Sequence, residues 1–582
     1  MNWGGRQDCM MPWSRLAAGA HDPDSITWRQ RHGRDILSLA RRRKDTILEM
    51  PTASDLDTVL EYHQATKHHF GRYARGPGRL DWATQPDPFR RYRGAPLVAL
   101  DHPAAGDSPA YDTVLSAGHV TVQPLTRRTI SDLFYDSLAL SAWKQAGGTQ
   151  WALRVNPSSG NLHPTEGYLL CGAVEGLAPE PFVAHYAPRE HALEVRASVA
   201  ADIWKSLTAH LPSPSIVIGL ASIYWREAWK YGERAFRYCH LDAGHAVAAV
   251  ALAAAGIGWQ VVMLDDPGTR QIAHLLGVDA PHGAAERERA DCLLALYPQD
   301  SGEMRLDLPG EVMVAFKDLA WQGTPNVLSR GHVDWPAIDA VSRATAKPPS
   351  QGVYRDAPGA VQSGVVQAQD RGVGSLREIV RQRRSAVGMD PGGRIGRDAF
   401  FQILRRTMPA RDRPPFAALP WTPAVHLVLF VHRVDGLAPG LYCLVRDPAQ
   451  IDDLQAAMRD DFAWAVPDEA PADLPLYRLL AGDARDAARQ LSCHQEIASD
   501  GVFAAAMITR FGPPLQHLGA WFYRRLYWEC GAVGQMLYLE AEAAGVRGTG
   551  IGCFFDDPVH ELLGLQTAAA DLPAYQSLYH FT

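Results

Sequence analysis

Residues 154–168 read RVNPSSGNLHPTEGY, a turn-forming run that leads into the apolar Tyr168-Leu169-Leu170. Pro157 fixes the backbone and Gly160 frees it, while Ser158, Ser159 and Asn161 present short donors and acceptors close to the main chain. Such a loop can wrap a polar ligand. The same residues also suit a capped loop-to-helix junction, with Ser or Asn as N-cap and Glu166 in the first turn. On the residues alone both readings stand. The run Gly548-Thr549-Gly550-Ile551-Gly552 either lets main chain approach a ligand closely or merely turns a helix into a strand. Asp242 and His245, at i and i+3 on an Ala-rich helix, read as packing or orienting groups rather than catalysts.

Positioning these residues falls to a long chain. Its 582 residues exceed one ordinary core, so about two to four domains are expected. A composition of 47% apolar and 21% charged residues, with 50 Gly and 41 Pro, is that of a soluble globular protein with many turns. The net charge of -7 does not predict nucleic acid or a membrane as partner, and Arg41-Arg42-Arg43-Lys44 reads as a solvated segment. Eight cysteines lie far apart without a C-x-x-C pair. Neither a disulfide framework nor a metal site is suggested, and a reducing cytoplasm is the expected setting. The longest apolar run, residues 246–257, falls short of the roughly 20 residues of a membrane span and reads as a buried helix. The first fifty residues carry no apolar signal-peptide core, so 1–49 is read as a poorly patterned extension, with Met50 as an alternative start.

Along the chain, residues 50–100 are rich in Arg, His and Trp. His63, His68 and His69 lack a carboxylate or Cys at ligand spacing, which points to a partly exposed surface helix rather than a metal. Apolar spacing predicts a helix over 131–143, strands over 168–173 and 216–224, and an Ala-rich helix over 241–255 stopped by Gly256 and Gly258. Residues 346–372, rich in Pro and Gly, read as a linker, with a second unit beginning at Ser375.

An internal repeat explains the length. DAGHAVAAVAL from Asp242 aligns without a gap on ECGAVGQMLYL from Glu529, an offset of 287 (529 minus 242). Each copy continues through a Gly turn and a strand to an acidic pair, Asp265-Asp266 or Asp556-Asp557, and then to Leu-Leu-Gly. A duplicated domain follows, with copies at 50–345 and 373–582.

Three motifs, the Pro157-Ser-Ser-Gly-Asn-Leu-His-Pro164 loop, Arg383-Arg384-Ser385, and the Gly548–Gly552 turn before Phe554-Phe555-Asp556-Asp557, together resemble the FMN-dependent nitroreductase superfamily. Its SagB-type dehydrogenases, or azoline oxidases, are the nearest branch, and the resemblance covers about residues 50 to 582. It implies an α+β fold of two tandem nitroreductase-like domains, each a central sheet flanked by helices, forming an intramolecular pseudo-dimer that can stay monomeric. In the family, one partner gives the Arg-x-Ser and Gly-turn elements and the other gives the loop. Here the first copy keeps the loop but reads Arg127-Arg128-Thr129 and a short Gly256-Ile257-Gly258. The second copy keeps Arg383, Arg384, Ser385 and the full turn but reads Leu419-Pro-Trp-Thr-Pro423 in place of the loop.

The resemblance thus implies one FMN bound by Pro157, Ser158, Ser159, Asn161, His163, Arg383, Arg384, Ser385, Gly550, Ile551 and Gly552. The arginines and Ser385 suit the phosphate, and backbone N–H groups of the turn suit N5. Lys230 and Tyr231 match the Lys-Tyr pair of azoline oxidases, in which a Lys of lowered pKa takes a proton while the neighbouring carbon gives a hydride. Where many relatives carry a second basic residue near the flavin N1 edge, this chain has Val387, with Arg547 or Arg154 as substitutes. The implied reaction is dehydrogenation of a small molecule or peptide. The alternatives are an NAD(P)H-dependent nitro or quinone reductase, and a non-catalytic flavin-binding or flavin-storing protein.

Overall fold

The runs IVIGLASI and FAAAMITR are apolar at nearly every position, the pattern of a strand covered on both faces rather than one that alternates. In the computed structural model each becomes an inner strand of an antiparallel sheet. The first sheet is built from β1 (Leu97–Ala99), β2 (Thr165–Cys171), β3 (Phe182–Ala187), β4 (Ala192–Ser198), β5 (Ile216–Ile223), β6 (Trp259–Met263) and β7 (Glu288–Pro298). The second is built from β8 (Val425–Val431), β9 (Gly440–Leu444), β10 (Leu476–Ala481), β11 (Phe503–Arg510), β12 (Gly550–Ile551) and β13 (Tyr575–Phe581). Their orders are β1-β4-β3-β2-β5-β7-β6 and β10-β9-β8-β11-β13-β12, so apart from β1 the two sheets have the same topology. The register repeats as well. Glu288 of β7 lies opposite Ile223 of β5, and 287 positions on (575 minus 288, 510 minus 223) Tyr575 of β13 lies opposite Arg510 of β11.

The structure describes residues 54–104, 106–116, 119–279, 286–301, 306–350, 371–566 and 572–582, and the N-terminal extension and most of the expected linker lie outside them. Six helices matter for the site: α1 (Asp55–Ala65), α2 (Arg127–Tyr135), α3 (Tyr224–Tyr231), α4 (Ala235–Gly256), α5 (Leu376–Gln382) and α6 (Tyr523–Ala543). Side chains alternate along each sheet between a shared core and a private one. Leu169, Ile218, Leu427 and Ala505 face one continuous core with α4 and α6, whereas Leu170 and Val217, and separately Val428 and Ala506, face outer cores.

Helices α4 and α6 pack against each other more extensively than any other pair of helices, and both are buried around nearly their whole circumference, which explains their lack of a polar face. They touch backbone to backbone. A β-carbon on Gly244 would overlap the Trp528 carbonyl, and one on Gly531 would overlap the Leu241 carbonyl and come within 2.8 Å of the Gly244 Cα. The two glycines are themselves 287 apart (531 minus 244) and mark the crossing point.

Charged groups repeat the exchange. Arg234 and Arg237, at the start of α4, bind Asp556 through Nη1 at 2.9 and 2.7 Å. Reciprocally, Arg525 at the start of α6 pairs with Asp265. All of these groups except the Asp265 carboxylate are almost completely covered, so each pair substitutes for hydration that burial removes.

Three expectations are corrected. Residues 131–143 are not one helix: α2 ends at Tyr135, and Leu140–Ala146 forms a hairpin with Thr149–Arg154. The hairpin turns at Gly147, whose φ of 58° suits glycine. The 154–168 run does not enter a helix, because Glu166 lies in β2, buried and paired with Arg226 and His185. The surface-helix reading of the histidines also fails. His63 is buried, with Nδ1 at 3.1 Å from the Tyr523 hydroxyl and Nε2 at 3.2 Å from Gln576 Oε1. His68, also buried, lies beyond the end of α1.

Alanine in place of glycine ordinarily favours a helix interior by roughly 0.5–1 kcal/mol. At Gly244 or Gly531 the overlap should reverse that sign, with a net loss of about 1–3 kcal/mol. Thermal unfolding of Gly244→Ala should show a lowered midpoint, and a midpoint at or above that of the parent chain would mean the helices do not meet there.

Candidate functional site

The 156–163 loop begins where the hairpin strand Thr149–Arg154 ends, and it returns into β2. Gly160, Asn161 and His163 all have positive φ, at 57°, 60° and 54°. Left-handed conformations at Asn and His persist only where the surroundings over-determine them, and here those surroundings are visible. Ser158 Oγ accepts from His163 N at 2.8 Å, and Asn161 Nδ2 donates to the Ala152 carbonyl at 2.8 Å. Asp242 of α4 accepts from Ser159 N at 3.0 Å and from Ser159 Oγ at 2.9 Å. Burial pushes the Asp242 carboxyl up to about 7, against the opposing pull of the serine donors.

This loop lines a cavity of about 390 Å³ whose opposite walls come from the other half of the chain. Arg383, Arg384 and Ser385, which follow α5, and Gly550, Ile551 and Gly552 all face it. Tyr231 faces it too, together with Pro157, Ser158, Ser159, Asn161 and His163. Across the cavity Arg383 donates to the carbonyls of Arg154 and Val155 at 3.1 and 3.3 Å, strapping the two halves together. Arg384 donates to the Arg381 and Arg383 carbonyls at 2.8 and 2.6 Å. Ser385 Oγ lies 3.0 Å from the Tyr538 hydroxyl, which also accepts from Gly550 N at 2.8 Å. That N–H, expected to face a ligand, is therefore spent on Tyr538. A β-carbon at Gly550 or Gly552 would overlap Tyr579 or Tyr238, so these glycines make room for tyrosines.

Lys230 is the sequence-predicted residue that does not line the cavity. Its Nζ lies 5.2 Å from the Tyr231 ring centre and would come within 3.0 Å of a β-carbon on Gly160. Burial lowers the Lys230 pKa, while the charge of Glu227 opposes the shift. Tyr231 is raised well above the ordinary phenol value by burial and by the negative charge of Glu227. Glu227 is fully buried with both carboxylate oxygens lacking a hydrogen-bond partner, and burial raises its pKa strongly.

A second cavity, of about 430 Å³, shares Lys144, Arg384, Ser385 and Val387 with the first and adds Arg394 and Arg547. Val387 is 86% exposed. Of its suggested substitutes, Arg154 lines the first cavity and Arg547 the second. A third cavity, of about 550 Å³, is lined by Arg128, Thr129, Gly256 and Ile257 with Asp107, Asp132, Asp136 and Arg377. There Arg128 is held by Asp107 and Asp132, at 2.9 and 3.1 Å, and Arg377 by Asp132 and Asp136, at 2.9 and 2.8 Å. At the loop position of the second half, Trp421 is buried and its Nε1 donates to Glu529 at 3.2 Å.

Sequence reasoning missed Tyr238, Tyr538, Tyr579, Lys144 and Glu227. One signal was available. Tyr238, Asp242 and His245 fall at i, i+4 and i+7, a single face of α4, and all three line the cavity. Glu227 lies on α3 three and four residues before Lys230 and Tyr231, whereas Lys144, Tyr538 and Tyr579 converge only through long-range packing.

Two helix-flanked antiparallel sheets of matching order, with a polar cavity lined from both halves, make this a nitroreductase-like α+β fold. A crystal structure of an inferred nitroreductase from Anabaena variabilis aligns with 90% of this chain and 98% of its own, at 21% identity and a TM-score of 0.61. Residues 124–289, a stretch that includes the loop, α3 and α4, match the nitroreductase family. An inferred nitroreductase of Methanocaldococcus jannaschii is 27% identical over 161 residues, covering 27% of this chain and 76% of the relative.

Because the Asp242 pKa is raised on folding, its contribution to stability is complete below its ordinary value of 3.8 and is lost as pH rises toward about 7. Asp242→Asn keeps one acceptor oxygen for Ser159 and cannot ionise. Relative to the parent chain it should gain up to about 1.4 kcal/mol per pH unit between roughly pH 5 and 7, then level off. Denaturant midpoints of both proteins across that range provide the check, and a constant difference would show that Asp242 does not titrate there.

Proposed function

We propose that the chain is an FMN-dependent oxidoreductase holding one flavin between its two halves, and specifically a SagB-type dehydrogenase that takes a hydride from a substrate C–H. The observation that carries this reading is a single cavity lined by the 156–163 loop of one half and by residues 383–385 and 550–552 of the other. The repeated strand order supports two tandem domains, 50–345 and 373–582, acting as a pseudo-dimer within one chain.

The residues present fit FMN. Its ring needs walls with polar edges, and the cavity offers tyrosine faces beside Asn156 Oδ1, His163 Nδ1 and Arg154 Nε, buried atoms without hydrogen-bond partners. Its phosphate needs cations, and Lys144 and Arg384 stand where the two cavities meet. When bound, FMN would accept the hydride at N5. Lys230, its charged form disfavoured by burial, is suited to take the accompanying proton. Tyr231, kept protonated by burial, can donate a hydrogen bond beside it. Asp242 fixes the loop through Ser159. The substrate class proposed is a small molecule or peptide.

A second reading is an NAD(P)H-dependent nitro or quinone reductase, which the names of the Methanocaldococcus and Anabaena proteins favour. Flavin-free protein titrated with FMN should saturate near one flavin per chain by absorbance, whereas saturation at two would overturn the single-site reading. Lys230→Ala should abolish substrate-driven bleaching of the bound flavin while leaving its absorbance spectrum intact. Rapid bleaching by NADPH with a harmless Lys230→Ala would instead select the reductase.

A further inference from the structure

Among the described cysteines, Cys171, Cys239, Cys292, Cys443 and Cys530 are buried, but Cys493 and Cys553 are partly exposed. The two are neighbours in space although distant in sequence, and each thiol acts on the other's pKa. Hydrogen bonds lace the segments that carry them. Phe555 N donates to the Leu491 carbonyl at 2.8 Å, and Gln495 Nε2 donates to the Cys553 carbonyl at 3.0 Å. Cys493 and His494 have φ of 55° and 58°, a left-handed pair that surrounding contacts must hold in place. Phe555 supplies one such contact, an edge-on ring 5.3 Å from that of His494. Cys553 and Gln495 also line the 390 Å³ cavity, directly after Gly552.

The two thiols are chemically unequal. The interaction with Cys493 holds the Cys553 thiol below its ordinary pKa, and the nearby Arg234 guanidinium pulls both thiols in that direction. Burial pushes the Cys493 thiol up. Cys553 is thus the better nucleophile and Cys493 the group placed to resolve its adducts.

We propose that Cys493 and Cys553 form a reversible disulfide at the rim of the cavity, with low-molecular-weight disulfides as the reaction partner. The Cys553 thiolate attacks one sulfur of the external disulfide, whose S–S bond breaks and releases one thiol after protonation. Cys493 then loses its proton and attacks the Cys553 sulfur of the mixed disulfide, expelling the second thiol. Two protein thiols are oxidised by two electrons, and one external disulfide is reduced to two thiols. The inference stands on the cysteine pair and does not require the flavin reading. Closing the bond would tie the 550–552 turn to the 491–495 segment and so restrict one wall of the cavity.

The test uses the reduced, desalted full-length chain exposed to oxidised glutathione, then denatured, alkylated with N-ethylmaleimide and mapped by mass spectrometry. Two of the eight cysteines should lose alkylation, with a crosslinked peptide joining 493 to 553 that dithiothreitol reverses. Cys493→Ser should instead accumulate glutathione on Cys553, and Cys553→Ser should take up glutathione at Cys493 at least about tenfold more slowly. Eight alkylatable thiols after exposure, or a glutathione adduct on Cys553 of the parent chain that never resolves, would overturn the proposal.

Discussion

The contact on which the rest depends is the crossing of α4 and α6 at Gly244 and Gly531. Side chains larger than hydrogen at that point would part the helices. Because both helices are buried on nearly all sides, every polar group they carry must find a partner within the protein. Some of those partners come from the opposite half. His245 of α4 reaches Gln535 of α6 and the Tyr579 hydroxyl of β13, both at 3.2 Å. Trp528 of α6 donates from Nε1 to His240 Nδ1 of α4 at 3.1 Å. The cavity lies beside this crossing and takes its walls from both halves for the same reason.

One buried acid per half shows how a repeat becomes asymmetric. Asp242 and Glu529 occupy matching places on α4 and α6, and each holds the segment that precedes an inner strand. Asp242 receives neutral donors from Ser159 and borders a cavity. Glu529 receives Trp421 Nε1, the backbone N–H groups of Ala424 and Val425, and the buried Arg446 at 2.6 Å. The first arrangement leaves a carboxyl close to neutrality in its titration. The second locks a charge into the frame and sets a tryptophan where the other half has its serines.

Much of the architecture was legible because it repeats. A gapless match of two helices gave the offset of 287, and the same offset governs the pairing of β5 with β7 and of β11 with β13. The strongly apolar strands were legible within one to three residues at their ends. Residues 131–143 were not, because a short apolar run followed by Gly-Gly fits a helix end or a hairpin equally well by periodicity. His63 was misplaced for another reason: nothing local reveals that α1 is covered by Tyr523 and Gln576, more than 450 positions away. The motif residues named from the sequence come to line one cavity, apart from Lys230. The tyrosines that fill the space over Gly550 and Gly552 carried no motif, since their role is set by shape.

The same asymmetry bears on where the proposed flavin can sit. A phosphate dianion needs cationic charge that carboxylates have not already taken up. In the cavity beside Arg128, three aspartates surround two arginines and engage both of them. Where the other two cavities meet, Arg384 bonds to carbonyl oxygens with the Glu542 carboxylate acting on it from nearby, and Lys144 stands in the same wall. The two halves therefore share a frame while their electrostatics differ. In the proposed reading, each half supplies what the other has lost, and the single flavin sits on the side where positive charge remains available.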